Sequence, residues 1–165
     1  MSGTQISFRQ EDAKLIFLAV AYHLGRPGSE LDPVTKRPVE HGLAEVAREL
    51  QPQLRNAVAT IEVNADQVVR LTSGMLGAVT ELKAYPMLEL RSEGGRTSTV
   101  PGFDRTLRHL FPAVEEDVDE AIEIAERMVM LRRRLGEELG TRKPIDGSGE
   151  GAGPSKKRGI WPFRR

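Results

Sequence analysis

The stretch AVEEDVDEAIEIAERMVMLRRRLGEEL, residues 113–139, decides the fold class. Val114, Val118, Ala121, Ile122, Ala125, Met128, Val129, Leu135 and Leu139 recur at the three-and-four spacing of one helical face. Pro112 stands just before the stretch, where a missing N–H costs a helix nothing. Acidic residues crowd the first half, and Arg127, Arg132, Arg133 and Arg134 lie in the second, an order that complements the helix dipole at both ends. Glu116, Glu120 and Glu123 fall on one face at spacings of four and three. Hard cations want six to eight oxygens, usually gathered by a loop, and no DxDxDG loop is present. These carboxylates therefore read as a solvated face. A second role is electrostatic: in an antiparallel pair of such helices, Glu116, Glu120 and Glu123 of one copy meet Arg127, Arg132, Arg133 and Arg134 of the other.

Working outward towards the N-terminus, residues 102–111 predict a short helix with Phe103, Leu107, Leu110 and Phe111 on one side. Residues 86–101 (PMLELRSEGGRTSTVP) read as an exposed hairpin or loose loop around Gly94 and Gly95. Residues 65–84 predict a helix whose stripe is Val68, Leu71, Thr72, Met75, Val79 and Leu82. Beside it lies a patch of small residues, Ser73, Gly74, Gly77 and Ala78. Two interior glycines cost a helix roughly 1 kcal/mol each, which the close approach of another helix would offset. A helix is also expected from Pro38, with Val39, Leu43, Val46, Ala47, Leu50, Leu54 and Val58 in phase and a kink or a junction of two helices at Pro52. Residues 26–37 carry Pro, Gly, Ser and Asp and read as a loop. Residues 10–24 (QEDAKLIFLAVAYHL) predict a helix closed by Gly25 and Pro27, apolar on nearly every side and so covered on several.

Two stretches share a layout. TQISFRQEDAKLIFL from residue 4 and ATIEVNADQVVRLTS from residue 59 each place a short alternating apolar lead before a polar break and an amphipathic helix. Ile6 corresponds to Ile61 and Phe8 to Val63. The leads either pair as two short strands or pack singly on the helices they precede. Two such units make no solenoid. The resulting expectation is a mainly α domain over residues 1–140, an irregular bundle of four to five helices with room for a short two-stranded β element. A flexible linker over 141–155 and a basic, aromatic tail over 156–165, expected to be disordered, complete the chain.

The balance of 24 basic and 24 acidic residues conceals a polarity: residues 1–112 are neutral, 113–126 carry −7 and 127–165 carry +7. The absence of cysteine excludes thiolate nucleophiles, disulfides and Cys-ligated metals. The longest apolar run, 15–24, is half of what a bilayer-crossing helix needs, and the N-terminus lacks the order of a signal peptide, so a cytoplasmic protein is expected. None of His23, His41 and His109 sits at a metal-ligand spacing. DGSGEGAG at 146–153 lacks the Gly-Lys-Ser/Thr ending of a phosphate loop, and there is no GxSxG elbow. The sequence assigns no catalytic, cofactor or metal residue. His23, in the most apolar helix, reads as a packed, hydrogen-bonded side chain. The rival reading makes it the acid or base of a small-molecule enzyme or sensor, in a pocket shared with Tyr22.

The tail KKRGIWPFRR holds the single tryptophan. Lys156, Lys157, Arg158, Arg164 and Arg165 bracket Ile160, Trp161, Pro162 and Phe163, a pattern that marks docking. Five cations near an anionic membrane surface gain roughly 5 kcal/mol, and the aromatics add interfacial partitioning. A protein groove would take Ile160, Trp161 and Phe163 as anchors. Nucleic acid offers similar electrostatics but would be repelled by the −7 segment. In Gly159, Ile160, Phe163, Arg164 and Arg165 the tail resembles the C-terminal loading peptides of encapsulin cargo proteins, although Trp161 and Pro162 stand where those carry small residues. That resemblance, confined to residues 159–165, implies a cargo protein drawn into a shell. The leading expectation is a non-enzymatic adaptor or regulatory protein that binds a protein partner or forms the homodimer described above, and that is cytoplasmic or peripheral at a membrane.

Overall fold

A computed structural model describes residues 3–91 and 100–141. The chain runs β1 (Thr4–Arg9), α1 (Gln10–Gly25), α2 (Leu43–Leu50), β2 (Val58–Val63), α3 (Ala65–Arg91), α4 (Phe103–Leu110) and α5 (Glu120–Thr141). Single 3-10 turns lie at Gln51–Gln53 and Pro112–Glu115. The fold is thus the expected mainly α bundle, five helices among the described residues with one two-stranded antiparallel sheet. No described helix is long and apolar enough to cross a membrane.

Of the two options for the apolar leads, strand pairing holds. Ile6 lies opposite Ile61 and Phe8 opposite Ala59. Ile6, Phe8, Ile61 and Val63 face the core while Gln5, Ser7, Arg9 and Glu62 face solvent, the period-two pattern of a ribbon covered on one side. Each strand feeds the helix after it, β1 into α1 and β2 into α3, so two strand–helix units meet about the Ile6–Ile61 pair. The units differ at the junction. Asn64 and Gln67 form a reciprocal capping box at the start of α3: the Gln67 N–H donates to Asn64 Oδ1 at 2.8 Å and the Asn64 N–H to Gln67 Oε1 at 2.9 Å. Arg9 stands at the N-cap of α1 and makes no side-chain cap.

The helix α3 packs on both α1 and α5 and is the centre of the bundle. The small-residue patch does what the sequence suggests. A Cβ on Gly74 would sit 3.0 Å from the Ala19 carbonyl oxygen and 3.3 Å from His23 Cβ, and one on Gly77 would enter the Tyr22 ring. The two glycines therefore let α1 and α3 cross at backbone contact. Leu71, Met75, Ala78, Val79, Leu82 and Tyr85 supply the buried face of α3. Tyr85 is fully buried, and its hydroxyl donates to Asp104 at 2.5 Å, tying α3 to α4. Phe103, Leu107, Leu110 and Phe111 are buried together, as their spacing predicts.

Four expectations need correction. Pro38 does not open a helix: α2 begins at Leu43, and Pro38 bridges Leu31 in a small hairpin. Its turn is set by Asp32, whose carboxylate accepts the Val34 and Thr35 N–H groups, and by Lys36 at φ 58°, a conformation that breaks helical continuity. Val58 leaves the helical stripe and starts β2, exposed, while Pro52 marks the junction where α2 gives way to a 3-10 turn. Residues 86–91 are helical rather than part of a hairpin; α3 continues through Pro86, held on its N-terminal side by buried Tyr85, and 92–99 lie outside the described residues. The last long helix starts at Glu120, not 113. Asp117 Oδ1 accepts the Asp119 N–H at 2.9 Å, a local turn that competes with helix. Within α5 the buried stripe is Ala121, Ile124, Ala125, Met128, Leu131 and Leu135, so Ile124 and Leu131 are buried and Ile122 and Val129 exposed. The linker 141–155 lies outside the described residues apart from Thr141, the last residue of α5.

The outer edge of β2 is sealed by side chains. Gln53 Nε2 donates to the Thr60 carbonyl at 2.9 Å, and Gln53 Oε1 accepts the Thr60 N–H at 2.9 Å. Glu49 accepts the Glu62 N–H. One amide and one carboxylate thus occupy the positions a third strand would take.

Candidate functional site

His23 is the group on which the competing readings turn. It lies in the last turn of α1 and is 6% exposed. Its Nε2 is 2.8 Å from Glu30 Oε1, and that oxygen also accepts the Leu43 N–H, the first of α2, at 3.3 Å. Glu30 therefore meets a buried imidazole on one side and the electropositive start of a helix on the other. Its main-chain carbonyl takes the Val39 N–H at 2.9 Å. Gly42 completes the arrangement, because a side chain there would overlap the Glu30 carboxylate. One histidine and one glutamate thus fasten the 26–42 segment across the end of α1. Tyr22, its neighbour, packs edge-on to Phe103 at 5.8 Å between centroids and lies under the Arg26 guanidinium at 5.9 Å. His23 is thus buried, while Tyr22 is half-buried against the edge of the core.

The clefts lie elsewhere. One of about 710 Å³ opens between α1, the 51–55 turn and the end of α4, lined by Lys14, Phe17, Leu54, Arg55 and His109 among others. A neighbour of about 630 Å³ shares Phe17 and His109 and adds Arg105, Arg108, Asp104 and Glu115. A third cleft, of about 380 Å³, between α2, β2 and the start of α3 is lined by His41, Glu45, Glu49 and Glu62. The first cleft is basic, the second sets Arg105 and Arg108 against Asp104 and Glu115, and the third is acidic. His23 and Tyr22 line none of the three. Among the described residues no group of His, Asp and Glu is placed to hold a metal ion.

The residues assigned to pairing between copies are dispersed. Glu116 sits in the turn before α5 and so does not share a helical face with Glu120 and Glu123, because the helix begins only at Glu120. Arg127 Nη2 bonds Glu120 at 3.1 Å, and Nη1 lies 3.9 Å from Glu11 on α1. Arg134 donates to both carboxylate oxygens of Asp12 at 3.0 Å, and Arg133 bonds Glu137 at 3.1 Å. Arg132 is half-buried, its Nε without a hydrogen-bond partner among the described residues. Three of the four arginines are therefore engaged within the chain, in exposed pairs each worth under about 1 kcal/mol.

The tail residues Lys156, Lys157, Arg158, Ile160, Trp161, Phe163, Arg164 and Arg165 lie outside the described residues. The sequence reading missed Glu30, Gly42, Gln53 and Asn64. Asn64 was legible, since Asn-x-x-Gln before an apolar run is a capping signature. The roles of Glu30 and Gln53 arise only when segments distant in sequence meet. No protein family, no curated protein and no solved structure matches this chain.

Proposed function

We propose that the chain is a non-enzymatic adaptor or regulatory protein: its helical body self-associates or holds a protein partner, and residues 156–165 dock on a partner groove or an anionic surface. The observation that carries this reading over the small-molecule enzyme is the state of His23. The one histidine of the apolar helix is buried and bonded to Glu30, where it holds a loop in place. The tail sequence supplies the docking half of the proposal, with five cations around three large apolar side chains.

The test is affinity capture from lysate with the full chain and with residues 156–165 deleted, read by mass spectrometry and repeated at high salt, beside sedimentation with anionic vesicles. Deletion is expected to leave the melting curve unchanged and to abolish vesicle or partner binding. Binding that survives the deletion removes the tail from the mechanism. Capture of a self-assembling shell protein through the tail would replace the adaptor reading by that of cargo.

A further inference from the structure

The two outer edges of the ribbon are not alike. The contacts of Gln53 with Thr60 show that residues 58, 60 and 62 turn their backbone groups away from β1. Their partners across the ladder are Arg9, Ser7 and Gln5, which in an antiparallel pair turn theirs the opposite way. The β2 edge is closed by Gln53 and Glu49. On the β1 edge the backbone groups of Gln5 and Ser7 and the N–H of Arg9 have no hydrogen-bond partner among the described residues, while the Arg9 carbonyl, at the N-cap of α1, belongs to the helix. An unpaired strand edge is a template for another strand.

We infer that this edge is a self-association surface, on which two copies pair β1 against β1, antiparallel about a dyad at Ser7, to give one four-stranded sheet. The strand is self-complementary in that register. Ser7 meets Ser7 of the second copy, and Gln5 meets Arg9 twice, with up to about four hydrogen bonds: two between the serines and one from each Arg9 N–H to a Gln5 carbonyl. Ile6 falls beside Phe8 of the second copy on the helix-covered face, which keeps the apolar layer continuous. No like charges oppose one another.

Charge argues for a second copy over an unrelated peptide. Neither Arg9 nor Glu62 has an ion-pair partner among the described residues. Glu62 pairs with Gln5, and Gln5 would pair with Arg9 of the second copy. That sets Arg9 and Glu62 two strand spacings apart on the solvent face, about 10 Å between backbones, within reach of two long side chains. The dyad makes the contact twice.

This deepens the self-association part of the function proposed above, and its test does not depend on the tail. Sedimentation velocity and light scattering of the full chain over a concentration series should show a monomer–dimer equilibrium. Ser7→Pro removes an N–H that the ribbon does not use, so the circular dichroism and melting curve should hold while the dimer Kd rises at least about tenfold. Arg9→Glu or Glu62→Arg alone should weaken the dimer roughly two- to fivefold, and the two together should restore it. If Ser7→Pro unfolds the chain, that charge exchange decides. A monomer at every concentration overturns the proposal, as does a dimer indifferent to all these variants or one that vanishes when residues 156–165 are removed. Capture that survives the tail deletion overturns tail docking and leaves the edge pairing standing.

Discussion

The two strand–helix units of this protein share a plan and differ in finish. In the second, β2 and α3 are joined by the Asn64–Gln67 capping box, and the outer edge of the strand is occupied by Gln53 and Glu49. In the first, β1 runs into α1 with no side-chain cap at Arg9, and its outer edge is bare. What they share is fixed by a demand common to both, burial of one apolar face against the crossing of α1 and α3. What differs lies where that demand ends: polar side chains from α2 and its 3-10 turn complete one unit, and nothing described completes the other. The difference separates the part of the sequence that builds the core from the part that decides which surfaces stay available.

The largest expected effect comes from breaking what the units share. Gly74→Val would push a branched side chain against the Ala19 carbonyl, 3.0 Å from the added Cβ, and a backbone atom cannot rotate away. A loss of about 3 kcal/mol is expected in chemical denaturation, with secondary structure retained in the absence of denaturant. Making the second unit resemble the first is next. Gln53→Ala opens the β2 edge and removes both outward main-chain hydrogen bonds of Thr60, for about 2 kcal/mol, and a denaturation midpoint measured with light scattering would also register any new association. Asn64→Ala uncaps α3 as α1 is uncapped and should cost about 1 kcal/mol by the same melt.

The smallest effect concerns the segment that joins the units. The backbone N–H of Thr35, then its hydroxyl, then the backbone N–H of Val34 hold the Asp32 carboxyl below the usual carboxylate range. A depressed folded-state pKa means that the contribution of the turn is complete above the unfolded value, about 3.9, and is lost as pH falls through the lower folded value. Amide shifts of Val34 and Thr35 should therefore titrate with a midpoint below that of an unstructured aspartate. A midpoint at the ordinary value would show that the turn does not hold the carboxylate.

Much of the fold was legible because the signals were local and redundant. The apolar spacing of Phe103, Leu107 and Leu110, and of Leu71, Met75 and Leu82, admits one helical face each. Ile6 and Ile61 alternate with polar neighbours in the manner of strands. The helix starts misled where a proline and an acidic run suit a helix but a short-range bond competes. Pro38 was drawn into a hairpin set by Asp32, and residues 113–119 into turns in which Asp117 caps Asp119. The site was less legible than the fold. His23 reads correctly as a hydrogen-bonded core residue, but its partner Glu30 lies in a stretch of loop composition with no periodicity to mark it. Gln53 seals an edge that exists only once β1 and β2 have met.

That meeting has a cost in time. Arg9 and Val58 are paired, yet the whole of α1, the 26–42 segment and α2 lies between them. Closing a loop of about 50 residues costs roughly 3 kcal/mol of chain entropy before any cross-strand bond offsets it. The ribbon's few inward side chains meet that cost only once a helical surface is there to receive them. Folding should accordingly run from the α1–α3 crossing outward, with the sheet closing late. In a chevron plot Ile61→Ala would then raise the unfolding rate and leave the refolding limb nearly untouched, whereas a change at Gly74 would slow refolding.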